Sequence, residues 1–247
     1  MLELKNVSFE VSDTDAQKEI LHDVSFTVPD GKLIAITGPN GGGKSTIAKL
    51  IMGIEHPTSG RIYFNGEDIT EKSITERANM GISFGFQQPV RFKGISVLDL
   101  LRIAARKRLN ITEACEYLSE VGLCARDYIN REVNASLSGG EIKRIEIATL
   151  LARGTVLSIF DEPEAGIDLW SFQSLIKVFE KMQELTKGSI LIISHQERIL
   201  DIADQIILVS GGRVELEGGK SDILPALINT TAVASYCDRL EGGGADA

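Results

Sequence analysis

Gly38-Pro39-Asn40-Gly41-Gly42-Gly43-Lys44-Ser45 has the residue order needed to hold a chain of phosphates. Glycines let the backbone turn tightly and aim its N–H groups at phosphate oxygens, and a helix opening at the lysine adds partial positive charge. Lys44 can reach the β- and γ-phosphates of a nucleotide, and the Ser45 hydroxyl suits Mg2+. The context agrees: a buried-type run, Lys32 to Thr37, leads into the loop, and Ile47, Leu50 and Ile51 follow at helical spacing. Alone, the loop says only that a nucleotide binds.

Two further groups extend that chemistry. Thr155 to Phe160 reads as a buried strand that delivers Asp161-Glu162 to the C-terminal edge of a sheet, where open α/β sheets bind ligands. There Asp161 would hold magnesium and Glu162 would orient and polarise the attacking water, since phosphoryl transfer needs mainly positioning and charge neutralisation. A strand-ending acidic pair is common by chance and gains meaning from the loop upstream. Leu137-Ser138-Gly139-Gly140-Glu141 opens a helix with Ile145, Ala148, Leu151 and Ala152 expected on its buried side. Ser138 with Glu141 three residues on is a capping box, which begins helices everywhere. Two glycines in the first turn cost helix stability, so another requirement must place them. Bare N–H groups at a helix start form a second phosphate-binding surface, one that would face a partner.

The P-loop, Leu-Ser-Gly-Gly, Asp161-Glu162 and His195 after a buried strand together resemble the motif set of ABC-type ATPases, from the first strand to about Gly218. The resemblance implies an α/β fold: a P-loop NTPase of the ABC ATPase type, with a RecA-like core, an antiparallel β subdomain and an inserted helical subdomain. It implies ATP and Mg2+ as ligands and an ATP-dependent homodimer of this chain. In that family two subunits sandwich two ATP molecules head to tail. Gly38 to Ser45, Thr46 and the Ser138 to Glu141 helix start are then the nucleotide-binding residues. Ser45, Gln87 and Asp161 serve the metal; Glu162, His195 and Gln87 serve catalysis, with His195 on the γ-phosphate. Gly166-Ile167-Asp168 crosses the dimer interface. Val11 is a departure, standing where family members place an aromatic side chain against adenine; ATP is still expected.

Several stretches are similar to the SufC family, the ATPases of iron–sulfur cluster assembly. These are Gly85-Phe86-Gln87-Gln88-Pro89-Val90, the Glu-x-Lys-Arg ending of Ser138 to Arg144, Asp161 to Asp168, and Ser194-His195-Gln196-Glu197-Arg198-Ile199-Leu200, where Gln196-Glu197 departs from Tyr-Gln. The likeness implies a scaffold partner of the SufB or SufD type, gripped near the glutamine loop and helical lobe. The competing expectation is the nucleotide-binding subunit of a membrane transporter. An ABC protein of ribosomes or DNA repair usually brings two cassettes or a long insertion.

The elements that must position these residues follow from periodicity. Leu2 to Val11 and Ile20 to Val28 read as strands joined by the polar turn Ser12 to Asp15, and Arg61 to Phe64 as another strand. From about Val97 to Arg131 the pattern is helical. After Thr155 to Phe160 come a helix (Trp170 to Leu185), a strand (Ser189 to Ile193), a short helix (Arg198 to Asp204) and a strand (Gln205 to Val209). One ATPase domain over 1–247 is expected, with 1–86 and 155–240 as core, 87–154 as helical subdomain and 241–247 as a flexible tail.

Composition bounds the rest. A net charge of -9 offers no general basic field, which argues against nucleic acid and against an anionic membrane surface. Apolar runs of four to seven residues fall far short of the roughly 20 that span a bilayer, and Met1-Leu2-Glu3-Leu4-Lys5 lacks the start of a signal peptide. A cytoplasmic location without direct membrane insertion is expected. Cys115, Cys124 and Cys237 fit no ligand spacing and read as buried apolar residues.

Overall fold

A computed structural model describes residues 1–13, 16–87, 90–134 and 136–225, with backbone alone at 12–13 and 16–18. In chain order the strands are β1 (Leu2–Asp13), β2 (Ala16–Val28), β3 (Leu33–Thr37), β4 (Ser59–Phe64), β5 (Glu67–Asp68), β6 (Ile82–Gly85), β7 (Leu157–Asp161), β8 (Ser189–Ile193), β9 (Gln205–Ser210) and β10 (Arg213–Gly219). The helices are α1 (Lys44–Met52), α2 (Ile74–Asn79), α3 (Val97–Ala105), α4 (Ile111–Glu120), α5 (Ala125–Tyr128), α6 (Gly139–Arg153), α7 (Leu169–Thr186) and α8 (Glu197–Ile202). Four strands form an antiparallel sheet in the order β2-β1-β4-β5, and six form a second sheet in the order β10-β9-β3-β8-β7-β6. The second sheet is parallel from β9 to β6, with β10 added antiparallel at its edge.

Strand pleating explains the two cores. β3, β7 and β8 are buried at every position, as strands covered on both faces must be. Alternate residues serve opposite layers: Leu33, Ala35, Ile190 and Ile192 join the core built with α6 and α7, while Ile34, Ile36, Leu191 and Ile193 join the core built with α1 and the antiparallel sheet. The parallel strands therefore end together, with β3 opening into the glycine loop and β7 into Asp161-Glu162.

Helices α3 to α6 lie between β6 and β7 in the chain. Helix α6 differs from the amphipathic pattern expected of it. Besides Ile145, Ala148, Leu151 and Ala152, it buries Ile142, Lys143, Ile147 and Leu150, because it packs against α3, α4 and α7 at once. The cysteine expectation is also corrected: Cys115 is half-buried, and Cys124 is exposed because it precedes α5 at the surface. Cys237 and the tail at 241–247 lie outside the described residues. Among the described residues, no helix is long and apolar enough to cross a membrane.

Candidate functional site

The glycine loop leaves β3 through Gly38, whose φ is 138° and where an added Cβ would lie 1.9 Å from the Val209 carbonyl oxygen of β9. Only glycine lets the chain pass that close. Helix α1 then begins after Gly43 with no side-chain cap, leaving its first-turn N–H groups for a ligand. Lys44, 5% exposed, folds back so that Nζ donates to the carbonyls of Gly38 at 2.7 Å and Pro39 at 2.9 Å. Burial lowers its pKa, and the carboxylates of Glu162 and Asp161 oppose that shift. A cavity of about 330 Å³ is lined by Ile20, the run Asn40 to Thr46, and Glu162.

The acidic pair reaches the same place from β7. Ser45 Oγ donates to Asp161 Oδ1 at 3.1 Å. Asp161 is 8% exposed, and burial raises its carboxyl pKa above the ordinary value, with Glu162 adding to the rise and the Ser45 bond resisting it. A hydroxyl and a desolvated carboxylate beside a phosphate-shaped loop form an oxygen donor set that fits Mg2+, whose charge would offset the cost of burying Asp161. Glu162 adopts φ 43°, uncommon for a residue with a long side chain, and its N–H donates to the Ile193 carbonyl at 2.9 Å. Such strain is characteristic of functional positions. Gln87 Nε2 donates to Glu162 Oε2 at 2.7 Å, so the glutamine loop, β7 and the P-loop meet at one carboxylate.

The Ser138 to Glu141 segment is not in that cavity's lining. Ser138 caps α6 with its exposed hydroxyl, accepting from the Glu141 N–H at 3.3 Å, while Glu141 Oε2 accepts from the Ser138 N–H at 2.6 Å. Tyr128 donates its hydroxyl to Glu141 Oε1. The two glycines have a packing reason. A Cβ on Gly139 would come within 3.0 Å of the Gly166 carbonyl oxygen, and one on Gly140 within 2.8 Å of Ser171 Cβ. The start of α6 thus lies directly on the turn that starts α7, where Asp168 Oδ1 accepts from the Trp170 and Ser171 N–H groups at 3.0 Å. His195 follows β8 and is exposed, while its neighbour Ser194 is fully buried and donates to Glu164.

Residues outside the sequence expectations join these parts. Lys143, buried on α6, donates to the Phe86 carbonyl at 2.6 Å and to Glu146 Oε2 at 2.9 Å. Glu146 Oε1 accepts from the Phe86 N–H at 3.3 Å. Helix α6, the signature helix that opens with Ser138-Gly139-Gly140, therefore grips the backbone of the residue preceding Gln87. Burial raises the Glu146 pKa despite Lys143. Among the described residues Glu164 Oε2 is buried with no hydrogen-bond partner, and burial raises the Glu164 pKa. Beside the glutamine loop, Phe84, Phe86, Val90, Phe92, Leu100 and Ile145 line much of an apolar cleft of about 190 Å³. Next to the P-loop cavity, a second cavity of about 440 Å³ contains Phe9, Val11, Ile20 and Thr46.

Comparison with known proteins points to one family. The family model described as ABC transporter matches residues 21–165. An uncharacterized ABC transporter ATP-binding protein of Methanocaldococcus jannaschii is 41% identical over 83% of this chain and 85% of its own length. The probable ATP-dependent transporter ycf16 of Cyanophora paradoxa is 36% identical over 89% of this chain and 88% of its own. Among solved structures, a dimeric ATP-binding cassette in a post-hydrolysis state with ADP and phosphate superposes with a TM-score of 0.79 at 25% identity, covering 89% of this chain and 99% of that one.

Proposed function

Because the chain belongs to the ABC transporter family of ATP-binding cassettes, which hydrolyse ATP with Mg2+, we propose that its ATP site is the P-loop cavity closed by Asp161 and Glu162 and completed by a second copy. The meeting of Lys44, Ser45, Asp161, Glu162 and Gln87 around one cavity supports this most directly. When bound, Mg2+ neutralises phosphate charge and aligns the leaving group. In this reading Ser45 and Asp161 hold the ion, with Gln87 close by. Lys44 exchanges its loop carbonyls for phosphate oxygens. Glu162, freed from Gln87, orients the attacking water, and His195 contacts the γ-phosphate. Gly38 to Thr46 cradle the triphosphate of one copy, and Ser138, Gly139, Gly140 and Glu141 approach it from the other. Residues 87–154 act as the helical subdomain of a single cassette, with 1–86 and 155–240 as its core.

The task assigned to this engine is iron–sulfur cluster assembly, with ATP-driven closure straining a SufB- or SufD-type scaffold in the cytoplasm. The support is the SufC-like run of motifs together with the apolar cleft beside Phe86, from which Lys143 and Glu146 lead straight to the signature helix. A partner seated in that cleft would bear on Gln87 and on α6 at once. The names of the relatives favour a second reading, in which the same cleft receives a membrane permease. Native anaerobic pull-down separates the two. Recovery of a β-rich scaffold with an iron–sulfur chromophore is expected, and recovery of a polytopic permease would overturn the assembly role.

A further inference from the structure

Arg102, Arg106, Lys107 and Arg108 set four cations within seven residues of a chain whose net charge is -9, and no carboxylate lies between Asp99 and Glu113. They come from the last turn of α3 and the loop that follows it, and with Leu109 and Asn110 they line a cavity of about 610 Å³. This cavity shares no lining residue with the P-loop cavity. A basic loop is usually a solvated surface whose side chains wander. Here neutral groups hold the arginines: Arg102 Nε donates to the Leu109 carbonyl at 3.2 Å, and Arg106 Nη1 donates to Asn79 Oδ1 at 2.9 Å. The guanidiniums are thereby oriented without being neutralised. Among the described residues, the salt bridge from Lys107 to Glu113 is the only one that these four cations make. Arg106 closes α3 at φ 51°, a conformation that costs an arginine more than it would a glycine. Arg153, at the end of α6, adds a fifth cation nearby: burial and then repulsion from Arg106 lower its pKa, and its Nη2 donates to the Ala78 carbonyl at 2.6 Å. Like charges fixed this close together favour an anion that comes between them.

We propose that this cavity is a second anion site, which binds a compact soluble ligand carrying two or more phosphate groups through Arg102, Arg106, Lys107 and Arg108. Three of the four cations are arginines, whose planar forks match phosphate oxygens two at a time. The positive end of α4, which begins at Asn110, adds to the attraction. The volume is that of a small-molecule site. A nucleic acid would need basic charge well beyond one loop, which a net charge of -9 does not supply. A concave site also suits a free ligand better than a bilayer, which presents its headgroups in a plane.

The test must keep the P-loop from answering in its place. Tripolyphosphate is therefore titrated calorimetrically into the full chain carrying Lys44→Ala, and into the same chain with Arg106→Gln and Arg108→Gln added. Both added positions are exposed, and among the described residues Arg108 makes no hydrogen bond or salt bridge, so Arg108→Gln alone serves as the variant least able to disturb the fold. Binding at physiological salt is expected, weakened about tenfold or more by the two added substitutions and by a smaller factor by Arg108→Gln alone. With Lys44 restored, the same two substitutions should leave steady-state ATP turnover unchanged, since neither residue lines the P-loop cavity. Affinity for tripolyphosphate that the arginine substitutions do not alter, or no binding at all in the Lys44→Ala chain, would overturn the inference. Capture by phosphatidylcholine vesicles bearing phosphatidylinositol phosphate, without binding of free tripolyphosphate, would overturn it in favour of a membrane surface.

Discussion

Asp161 holds a negative charge where the unliganded fold would rather have none. Burial raises its pKa in the folded chain above the ordinary 3.8, so the folded state holds the proton more tightly than the unfolded one. The resulting stabilisation is complete below about pH 3.8 and is lost as pH rises through the folded-state value. At neutral pH the bare protein therefore carries the cost, and a bound cation would relieve it. Asp161→Asn should raise the melting temperature of the nucleotide-free protein at pH 7, with the gain shrinking in acid, while Mg-dependent ATP turnover falls by at least about a hundredfold. A nucleotide-free melting temperature that drops, with turnover kept, would remove Asp161 from the metal site. Val11 offers a gain instead of a loss. It is exposed in the cavity beside Thr46, where a ring could lie against a base. Base–aromatic stacking is worth ~1–3 kcal/mol, so Val11→Tyr should tighten ATP binding at least about fivefold by titration calorimetry. Unchanged affinity would place the base elsewhere.

At the scale of elements, the helix that begins the phosphate site is held at its far end by Arg77 of α2. This fully buried guanidinium donates to the carbonyls of Leu50 and Ile51 in the last turn of α1, and to those of Thr70 and Lys72. A cation there also complements the negative end of α1, whose positive end is the proposed phosphate site. Arg77→Met would leave four carbonyls without this partner and should cost about 3 kcal/mol or more in urea unfolding. A change below about 0.5 kcal/mol would show that water replaces the guanidinium without penalty. Neither Arg77 nor Lys143 was legible in the sequence, because periodicity reads a charged side chain as solvent-facing and both are buried against backbone carbonyls. Helix α2 was missed for the same reason, although Ser73 and Glu76 form a capping box that could have marked its start. Strand β10 went unread because an edge strand buries too little to leave an apolar pattern. Of the parallel strands, β3, β7, β8 and β9 were legible as mainly apolar runs between turn residues, whereas β6, four residues long and holding Ser83 and Gly85, was not. The P-loop and Asp161-Glu162 were legible because their chemistry depends on neighbours in sequence. What could not be read was contact between distant segments: Gln87 on Glu162, Phe86 on Lys143, and Gly140 on Ser171.

At the scale of the whole molecule, the proposed reading gives one chain two phosphate-binding surfaces, and the start of α6 is not in the lining of the P-loop cavity. The P-loop surface is complete up to Glu162, while the start of α6 rests on α7 with Ser138 turned to solvent. If two copies close head to tail, each surface finds its complement and the Lys143 link carries the closure to the glutamine loop and the cleft beside it. The most direct test is the steady-state ATPase rate of a mixture of two inactive proteins, Lys44→Ala and Ser138→Arg. Random pairing rebuilds one intact site in each mixed dimer, so the mixture should recover up to about a quarter of the normal rate while each variant alone remains inactive. A mixture no faster than its components would contradict the shared site.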